Sequence, residues 1–274
     1  MRLEDFLLNY FSGLSKMYLR DLVKTAACEV NGRHENRGFR LRPNDFVEIV
    51  VDSSRGTAMR PQDISLDVVF EDDDLIVVNK PAGMLVHPSH RENSGTLLNA
   101  LVFYLNQSVS GPAIRPGLIH RLDKQTSGLI VAAKNPRAHR RLCASFMKKR
   151  VEKRYLALVE GVVNDDKGTI EAPIGRFADL KIWGVREDGK MSESKYRVRE
   201  RRADSTILEL EPVTGRTNQL RIHCELIGHP IIGDVQRGGR EFERLCLHAY
   251  RLAFPHPSTN EWTELEIAAP PEFH

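Results

Sequence analysis

The sequence lacks the glycine-rich loops that cradle phosphates and the paired histidines of zinc hydrolases. None of the patterns GxGxxG, GxxxxGK[ST] and HExxH occurs among the 274 residues. Nucleotide hydrolysis and zinc-dependent hydrolysis therefore lack their usual residues. We expect no cofactor and no metal.

Cysteines and long apolar runs are also scarce. The four cysteines, Cys28, Cys143, Cys224 and Cys246, are widely spaced, which argues against a zinc cluster or a disulfide framework. No apolar run approaches the roughly 18 residues that a membrane span needs, and the first residues do not resemble a signal peptide. We therefore expect a cytoplasmic protein with reduced thiols and no membrane contact.

Charge is distributed unevenly along the chain. There are 40 Lys and Arg residues against 37 Asp and Glu, a net charge of only +3. Residues 112–154 nevertheless hold twelve cations and two acids, whereas residues 62–75 hold six acids and no cation. A basic segment of this kind is typical of a surface that binds a polyanion, most often nucleic acid. A solvated basic helix face is the alternative.

The residue pattern predicts two domains joined by a linker. Residues 1–55 have two helical segments, the second capped by Ser15, then a turn at Asn31-Gly32 and a strand, which together indicate a small α/β module. The polar residues 56–63 predict the linker. Residues 64–274 have many short strands and few helices, so the predicted fold class is α+β with a mixed, mainly antiparallel sheet.

One loop could present a catalytic carboxylate. Asp123 lies in a polar loop between two predicted strands, 117–120 and 128–133. Loops held by a rigid scaffold are where chemistry concentrates. An aspartate that caps its own turn has the same pattern, and the residues alone do not choose between the two.

Two further segments carry polar side chains on predicted strands. Residues 220–224 predict a strand with Gln219, Arg221 and His223 on one face. An arginine there would be a natural partner for a catalytic carboxylate and would hold its pKa down; an edge strand with a solvated face is the alternative. Tyr155 lies on a third strand, where a core position is the ordinary interpretation.

Together these stretches resemble the RluA-type family of RNA pseudouridine synthases. His120-Arg121-Leu122-Asp123, followed by Thr126-Ser127-Gly128, is similar to the catalytic motif of that family. Four other stretches match in the same order, namely residues 73–83, 153–159, 214–217 and 227–234. The resemblance covers about residues 64–272. It implies a bent, mainly antiparallel mixed sheet with flanking helices and a central cleft.

The resemblance also implies roles for individual residues. Asp123 would act at the sugar, Tyr155 would pack on the target base and Arg221 would pair with Asp123. Arg121 would fill the space that a flipped base leaves. The remaining residues predicted to contact RNA are His120, Lys124, Arg137, Arg140, Arg141, Lys148 and Lys149.

One residue of the catalytic domain departs from the pattern of the family. Asn218 stands where the family usually has histidine, and asparagine cannot titrate near neutral pH.

Residues 1–55 resemble the alpha-L RNA-binding domain of the ribosomal-protein-S4 type, whose presence in this family mostly accompanies modification of large-subunit ribosomal RNA. We therefore expect a monomeric enzyme that acts on ribosomal RNA, with transfer RNA as the rival substrate.

Two functions of other classes also fit the residues. A ribosome-assembly factor that only binds RNA would need neither Asp123 nor Tyr155. A uridine-specific glycosidase would release free uracil, but glycoside hydrolases generally use two flanking carboxylates, and the candidate loop contains one. Isomerisation of uridine remains the leading hypothesis.

Overall fold

The chain folds into two compact units, Met1–Arg60 and Pro61–His274. This fold comes from a computed structural model that describes residues 1–11, 14, 16–51, 60–89, 92–107, 113–180 and 182–274. The division lies inside the segment 56–63 that was predicted as a linker. Ser15, the predicted helix cap, and residues 56–59 lie outside the described residues.

The first unit packs two helices against a short antiparallel pair of strands. Its elements are α1 (Leu3–Tyr10), α2 (Lys16–Lys24), β1 (Cys28–Val30) and β2 (Val47–Ile49). Leu3, Leu7 and Leu19 are buried in its core. Asn31 and Gly32 adopt φ values of 52° and 74°, as a tight turn requires. Val30 and Arg33 form an antiparallel bridge across this turn, and the strand β1 itself pairs with β2.

The second unit is built on one mixed sheet. In the described part of the chain its strands are β3 (Val68–Glu71), β4 (Leu75–Lys80), β5 (Gly117–Leu118), β6 (Ser127–Ala133), β7 (Glu152–Glu160), β8 (Lys167–Phe177), β9 (Ile182–Val185), β10 (Lys190–Arg201), β11 (Ser205–Pro212), β12 (Leu247–Pro255) and β13 (Trp262–Glu266). Its helices are α3 (Leu97–Asn106), α4 (Pro136–Met147) and α5 (Gln219–Leu226). No helix among the described residues is long and apolar enough to cross a bilayer.

The strands form one mixed sheet with a hydrophobic core on each face. The order is β3-β4-β6-β12-β7-β11-β10-β8-β9, with β5 beside β6 and β13 beside β12. β12 and β6 run parallel, and the other pairs are antiparallel. Alternate residues of β6 enter two separate cores, with Ile130 in one and Leu129 in the other. A mixed sheet with few helices confirms the predicted α+β class.

Helix α4 begins at a pair of residues that favour a helix start. The Asn135 side chain accepts a hydrogen bond from the Ala138 amide at 2.9 Å, and Pro136 occupies the first turn. Leu142 is fully buried against the sheet, while the basic side chains of the helix lie on its exposed side. The helix ends at Met147.

The strand predicted over residues 220–224 is wrong, because these residues form helix α5. Alternating apolar residues at Leu220 and Ile222 suggested a strand, but a short run of this kind fits a helix equally well. The Gln219 side chain stabilises the start of this helix. It accepts hydrogen bonds from the Thr214 hydroxyl at 2.7 Å and the Arg216 amide at 2.9 Å, and these bonds hold the preceding loop against the first turn.

Candidate active site

One open cavity of the second unit gathers several of the predicted site residues. It has a volume of about 490 Å³, and Asp123, Tyr155, His120 and Arg121 line it. The loop 212–220 forms the opposite wall, and Phe146 and Met147 at the end of α4 form part of the rim. The structure therefore brings together a carboxylate, a phenol and an exposed guanidinium that the sequence separates by up to 34 positions.

Asp123 is held at the cavity by a tightly bonded loop between β5 and β6. Leu122 is buried beside it and anchors the loop in the core. The Thr126 amide donates to the Asp123 carbonyl at 3.1 Å, and the Gly83 amide donates to the Lys124 carbonyl at 2.8 Å. A side chain on a loop fixed in this way is positioned before any substrate arrives.

Lys80 holds this loop in place, a role that the sequence motifs do not predict. Its side chain is fully buried, and its ammonium donates to the carbonyls of Pro81 at 2.8 Å, Met84 at 2.9 Å and Lys124 at 3.2 Å. Burial lowers the pKa of Lys80 to about 8, and the negative charge of Asp123 opposes that shift. A lysine at the end of an apolar strand was the available signal, because such a charge needs several partners.

The carboxyl group of Asp123 has a raised pKa. Burial is the main cause, and the charge of Asp234 acts in the same direction. The cations Arg221, Arg121 and Lys80 oppose the rise without cancelling it. Arg221 lowers the pKa of Asp123, as expected of a neighbouring arginine, but desolvation outweighs this attraction and the net shift is upward.

Tyr155 lies on β7 in the middle of the sheet, opposite Leu210 on one side and Ala249 on the other. Only 8% of it is exposed. Burial and the charge of Asp123 both raise the pKa of its phenol, so the hydroxyl stays protonated near neutral pH. The ring can offer a flat face to a base, and the hydroxyl can donate a hydrogen bond.

His120 supports the wall of the cavity. Its ring stacks on Phe146 with centroids 5.0 Å apart, and its Nε2 accepts a hydrogen bond from the Val131 amide at 3.2 Å. Burial lowers the pKa of His120 to about 3, and the charge of Lys153 adds to this effect. The imidazole is therefore neutral at physiological pH and offers no positive charge to a phosphate.

Arg221 does not form the predicted ion pair with Asp123. Its Nε and Nη2 each donate to a carboxylate oxygen of Asp234 at 2.6 Å. It is absent from the residues that line the cavity, and it acts on Asp123 only through its charge. The prediction failed because a strand would have turned Arg221 toward the cavity, whereas helix α5 turns it toward the loop that holds Asp234.

Asn218 lines the cavity directly before α5 and has a left-handed backbone with φ of 56°. Asparagine tolerates this conformation better than most residues. Its Oδ1 accepts a hydrogen bond from Arg221 at 3.4 Å. The residue that replaces the family's histidine therefore shapes the loop and contacts the guanidinium without titrating.

The predicted RNA-contacting cations lie in different surroundings. Arg121 is exposed at the cavity and forms no ion pair with any described residue. Lys124 is paired with Glu92 at 2.7 Å, and Arg141 donates to the Pro257 carbonyl at 2.5 Å. The remaining predicted contacts, Arg137, Arg140, Lys148 and Lys149, are exposed on or just after α4.

Comparison with known proteins identifies the class of enzyme. The family model for RNA pseudouridylate synthase matches residues 74–226, which include Asp123 and Tyr155. A protein of Aquifex aeolicus named as an uncharacterized RNA pseudouridine synthase is 38% identical across 99% of this chain and 91% of its own. The chain belongs to the RNA pseudouridine synthase family and is an isomerase of that class.

Two further relatives agree with this assignment. The ribosomal large subunit pseudouridine synthase D of Pseudomonas aeruginosa is 36% identical, over 99% of this chain and 89% of its own length. The solved structure of human RNA pseudouridylate synthase domain containing 1 superimposes with a TM-score of 0.64 at 29% identity. That match covers 79% of this chain and 86% of the human one.

Proposed function

We propose that this enzyme converts particular uridines of large-subunit ribosomal RNA to pseudouridine. The observation that carries the proposal is the meeting of Asp123 and Tyr155 in one cavity of a pseudouridine synthase fold. Near-full-length similarity to a ribosomal large subunit pseudouridine synthase supports the choice of RNA. Transfer RNA is the rival substrate, and we propose a cytoplasmic monomer that uses no cofactor.

The reaction needs no oxidant, reductant or added group. The N1–C1′ bond of uridine breaks, the base rotates, and a C5–C1′ bond forms while a proton leaves C5 and another reaches N1. We assign the step at the sugar to Asp123, either as a nucleophile at C1′ or as a base that removes the C2′ proton. Both routes require the ionised carboxylate, and its raised pKa makes it a stronger base than an exposed aspartate.

We assign to Tyr155 the position beneath the target base. Its ring is fixed by the neighbouring strands β11 and β12, so the contact costs little conformational entropy. Its protonated hydroxyl lies within the same cavity as Asp123. The hydroxyl would direct the proton transfer at C5, through hydrogen bonding rather than as a free phenolate.

The Tyr155→Phe variant tests that assignment. Because it keeps the ring and removes the hydroxyl, we expect RNA affinity within a few-fold of wild type and turnover lower by about 100-fold, as for the loss of a general acid–base group. Single-turnover formation of pseudouridine and a filter-binding titration measure the two effects. Tyr196→Phe is the matched control, since Tyr196 lies on β10 outside this cavity. Full turnover in Tyr155→Phe would leave the hydroxyl without a role.

A uridine within a helix must leave the stack to reach an enclosed site, at a cost of a few kcal/mol. We propose that Arg121, which is exposed at the cavity and forms no ion pair with another described residue, fills the vacated space. Arg137, Arg140, Arg141, Lys148 and Lys149 would follow the phosphates, with Lys124 and His120 shaping the entrance. Binding should therefore weaken steeply as salt rises.

The Arg121→Ala variant should slow turnover by about 10-fold to 100-fold on a stem-loop RNA, because the helix is then opened without a side chain to replace the base. The loss should shrink to a few-fold on an unpaired oligonucleotide, where little stacking is broken. Stopped-flow fluorescence of 2-aminopurine beside the target, combined with single-turnover assays, measures both steps. Equal losses on the two RNAs would assign Arg121 to the chemistry and not to base flipping.

We propose that the first unit is an alpha-L RNA-binding domain of the S4 type. It presents exposed cations, including Arg33, Arg37 and Arg40, around a small buried core. Under this proposal the domain organisation is 1–55 for RNA binding, 56–63 for the linker and 64–274 for catalysis. Such a domain would select the RNA and leave the chemistry to the second unit.

A map of pseudouridine in ribosomal and transfer RNA tests the function as a whole. Cells without the protein should lose specific large-subunit ribosomal sites, and wild type but not Asp123→Asn should restore them. Loss in transfer RNA alone would keep the reaction and overturn the substrate. No lost site, with RNA binding intact, would favour a non-catalytic assembly factor, and release of free uracil would identify a glycosidase.

A further inference from the structure

A second open cavity lies on the face of the sheet opposite to Tyr155. In the register of β7 and β11, Tyr155 is paired with Leu210, and the next pair along is Leu156 with Glu209. Successive side chains of a strand point to opposite faces, so Glu209 lies on the face away from Tyr155. The cavity around Glu209 has a volume of about 440 Å³ and spans β7, β11, β10 and β8. We call it the outer groove, and its charged residues are Arg154, Lys167, Lys195, Arg197, Glu209 and Glu211.

The two carboxylates of the outer groove already have partners. Glu209 is 5% exposed, lies 3.2 Å from Arg154 and also forms an ion pair with Arg199. The Tyr250 hydroxyl donates a further hydrogen bond to Glu209 at 2.5 Å. Glu211 is 3.2 Å from the same Arg154. The negative charge of the outer groove is therefore compensated from within the protein, mainly by Arg154.

Three cations of the outer groove have no such partner. Lys167, Lys195 and Arg197 are exposed, and none of them forms an ion pair with a residue in the part of the chain that the structure describes. Lys195 is paired with Glu211 in the register of the sheet, but the Glu211 carboxylate is held by Arg154. Arg197 lies directly opposite Lys167 on the neighbouring strand. Like charges in directly opposite positions destabilise a sheet, so this arrangement is favourable only when an anion lies over it.

We propose that the outer groove binds the phosphate backbone of RNA, as a second contact on the opposite face of the sheet from Tyr155. This inference rests on the proposed function for its choice of ribosomal RNA. Phosphates would supply the negative charge that the three cations lack. Thr169, exposed and directly opposite Lys195, can add a hydroxyl donor to a phosphate oxygen. Lysine, arginine and threonine contact phosphates without reading bases, so the contact would not depend on the base sequence.

The position of the outer groove determines which RNA can use it. A stem-loop that delivers its uridine to Asp123 and Tyr155 lies on the catalytic face of the sheet. The outer groove, on the other face, is reached by a different segment of the same RNA. It would therefore strengthen the binding of a long, folded RNA and contribute little to the binding of an isolated stem-loop.

The double variant Lys195→Gln/Arg197→Gln tests the outer groove. On a long transcript of large-subunit ribosomal RNA that contains the target stem-loop, we expect Kd to rise about tenfold or more. The slope of log affinity against log salt should fall by about two, one for each lost phosphate contact. On the isolated stem-loop, Kd should stay within about twofold, because distant charges are screened at physiological salt.

The exchange variant Lys195→Arg/Arg197→Lys is the matched control. It keeps both charges in the outer groove and should bind both RNAs as wild type does. Lys167→Gln separates binding from folding, because it removes one of two opposed like charges. Its melting temperature should equal or exceed that of wild type while its affinity for the long transcript falls. A lysine that served the fold alone would have the reverse effect.

Filter-binding titrations over a range of salt concentrations and hydroxyl-radical footprinting of the long transcript make the measurement. Wild type should protect a stretch of RNA outside the stem-loop, and the double glutamine variant should leave that stretch accessible. Equal losses of affinity on the two RNAs overturn the proposal. Unchanged affinity for both also overturns it, and would favour an acidic protein segment as the occupant. If the protein binds the long transcript through the outer groove but forms no pseudouridine, the proposed function fails and this inference stands.

Discussion

Replacement of Asp123 by asparagine should abolish pseudouridine formation and leave the protein at least as stable as wild type. Asparagine has nearly the same shape but can neither attack C1′ nor take a proton from C2′. We expect turnover to fall by at least about 1,000-fold, the scale seen when a nucleophile or base is removed. RNA affinity should remain within a few-fold, since the cations at the cavity are untouched.

The stability half of this prediction follows from the direction of the pKa shift. Because burial raises the pKa of Asp123, the folded chain holds that proton more tightly than the unfolded chain does. The free energy of unfolding therefore falls as pH rises through the folded pKa, and the ionised carboxylate costs stability at neutral pH. Asparagine carries no such cost, so the melting temperature of the variant should equal or exceed that of wild type at pH 7.

Thermal unfolding at pH 4.5 and pH 7, together with single-turnover assays, checks both halves. The gap in melting temperature between variant and wild type should widen at the higher pH. Asp73→Asn is the control, because Asp73 is exposed and far from the cavity in the β3–β4 turn. Normal turnover in Asp123→Asn would remove Asp123 from the mechanism, and a lower melting temperature at pH 7 would contradict the proposed stability cost.

The parts of the fold that were predictable have local causes. Asn135 and Pro136 indicate the start of α4, because helix capping and the fixed φ of proline act within one turn. The apolar runs of β4 and β6 are recognisable because both faces of these strands are buried. In each case the information lies within a few consecutive residues.

The strands that were not predicted lack such a local signal in their sequence. β12 was not predicted, because His248, Tyr250 and Arg251 interrupt its apolar residues. Its register with β7 also shifts between Ala249 and Arg251. The Nδ1 atom of His248 is hydrogen-bonded to the hydroxyl of Ser127 at 2.7 Å, 121 positions earlier. β8, β9 and β13 were also missed, although β8 shows alternating burial that its alternating residues could have signalled.

Asp123 and Tyr155 were predictable members of the candidate site, whereas the role of Lys80 and the bonds of Arg221 were not. The loop that carries Asp123 and the strand that carries Tyr155 could be recognised from motifs, and the structure places both residues in one cavity. The bond between Arg221 and Asp234 depends on α5 being a helix and on a loop 13 positions further along. The raised pKa of Asp123 depends on burial by the whole domain, which no short segment encodes.

Lys80→Met should show how far catalysis depends on the fastening of the catalytic loop. Methionine fills the same volume but leaves the buried carbonyls of Pro81 and Met84 without their donor. An unsatisfied buried carbonyl costs about 1–3 kcal/mol, and part of this is offset because the variant no longer buries a charge, so we expect a net loss of about 2–4 kcal/mol. Turnover should fall at least tenfold beyond what unfolding explains, because the Lys124 carbonyl also loses a bond.

The pH dependence of the free energy of unfolding tests the role of Lys80 independently. Because burial lowers the pKa of Lys80 to about 8, the unfolded chain binds a proton that the folded chain lacks between about pH 8 and the ordinary lysine value. Wild type should therefore gain stability relative to Lys80→Met as pH rises through that window. Urea unfolding at pH 7 and pH 9.5 measures the change. Lys134→Met is the matched control, since Lys134 is a partly buried lysine directly after β6 and is bonded to Glu71 at 2.7 Å. It should lose stability without the loss of turnover, and a Lys80→Met protein with wild-type turnover would show that the loop holds Asp123 in place without Lys80.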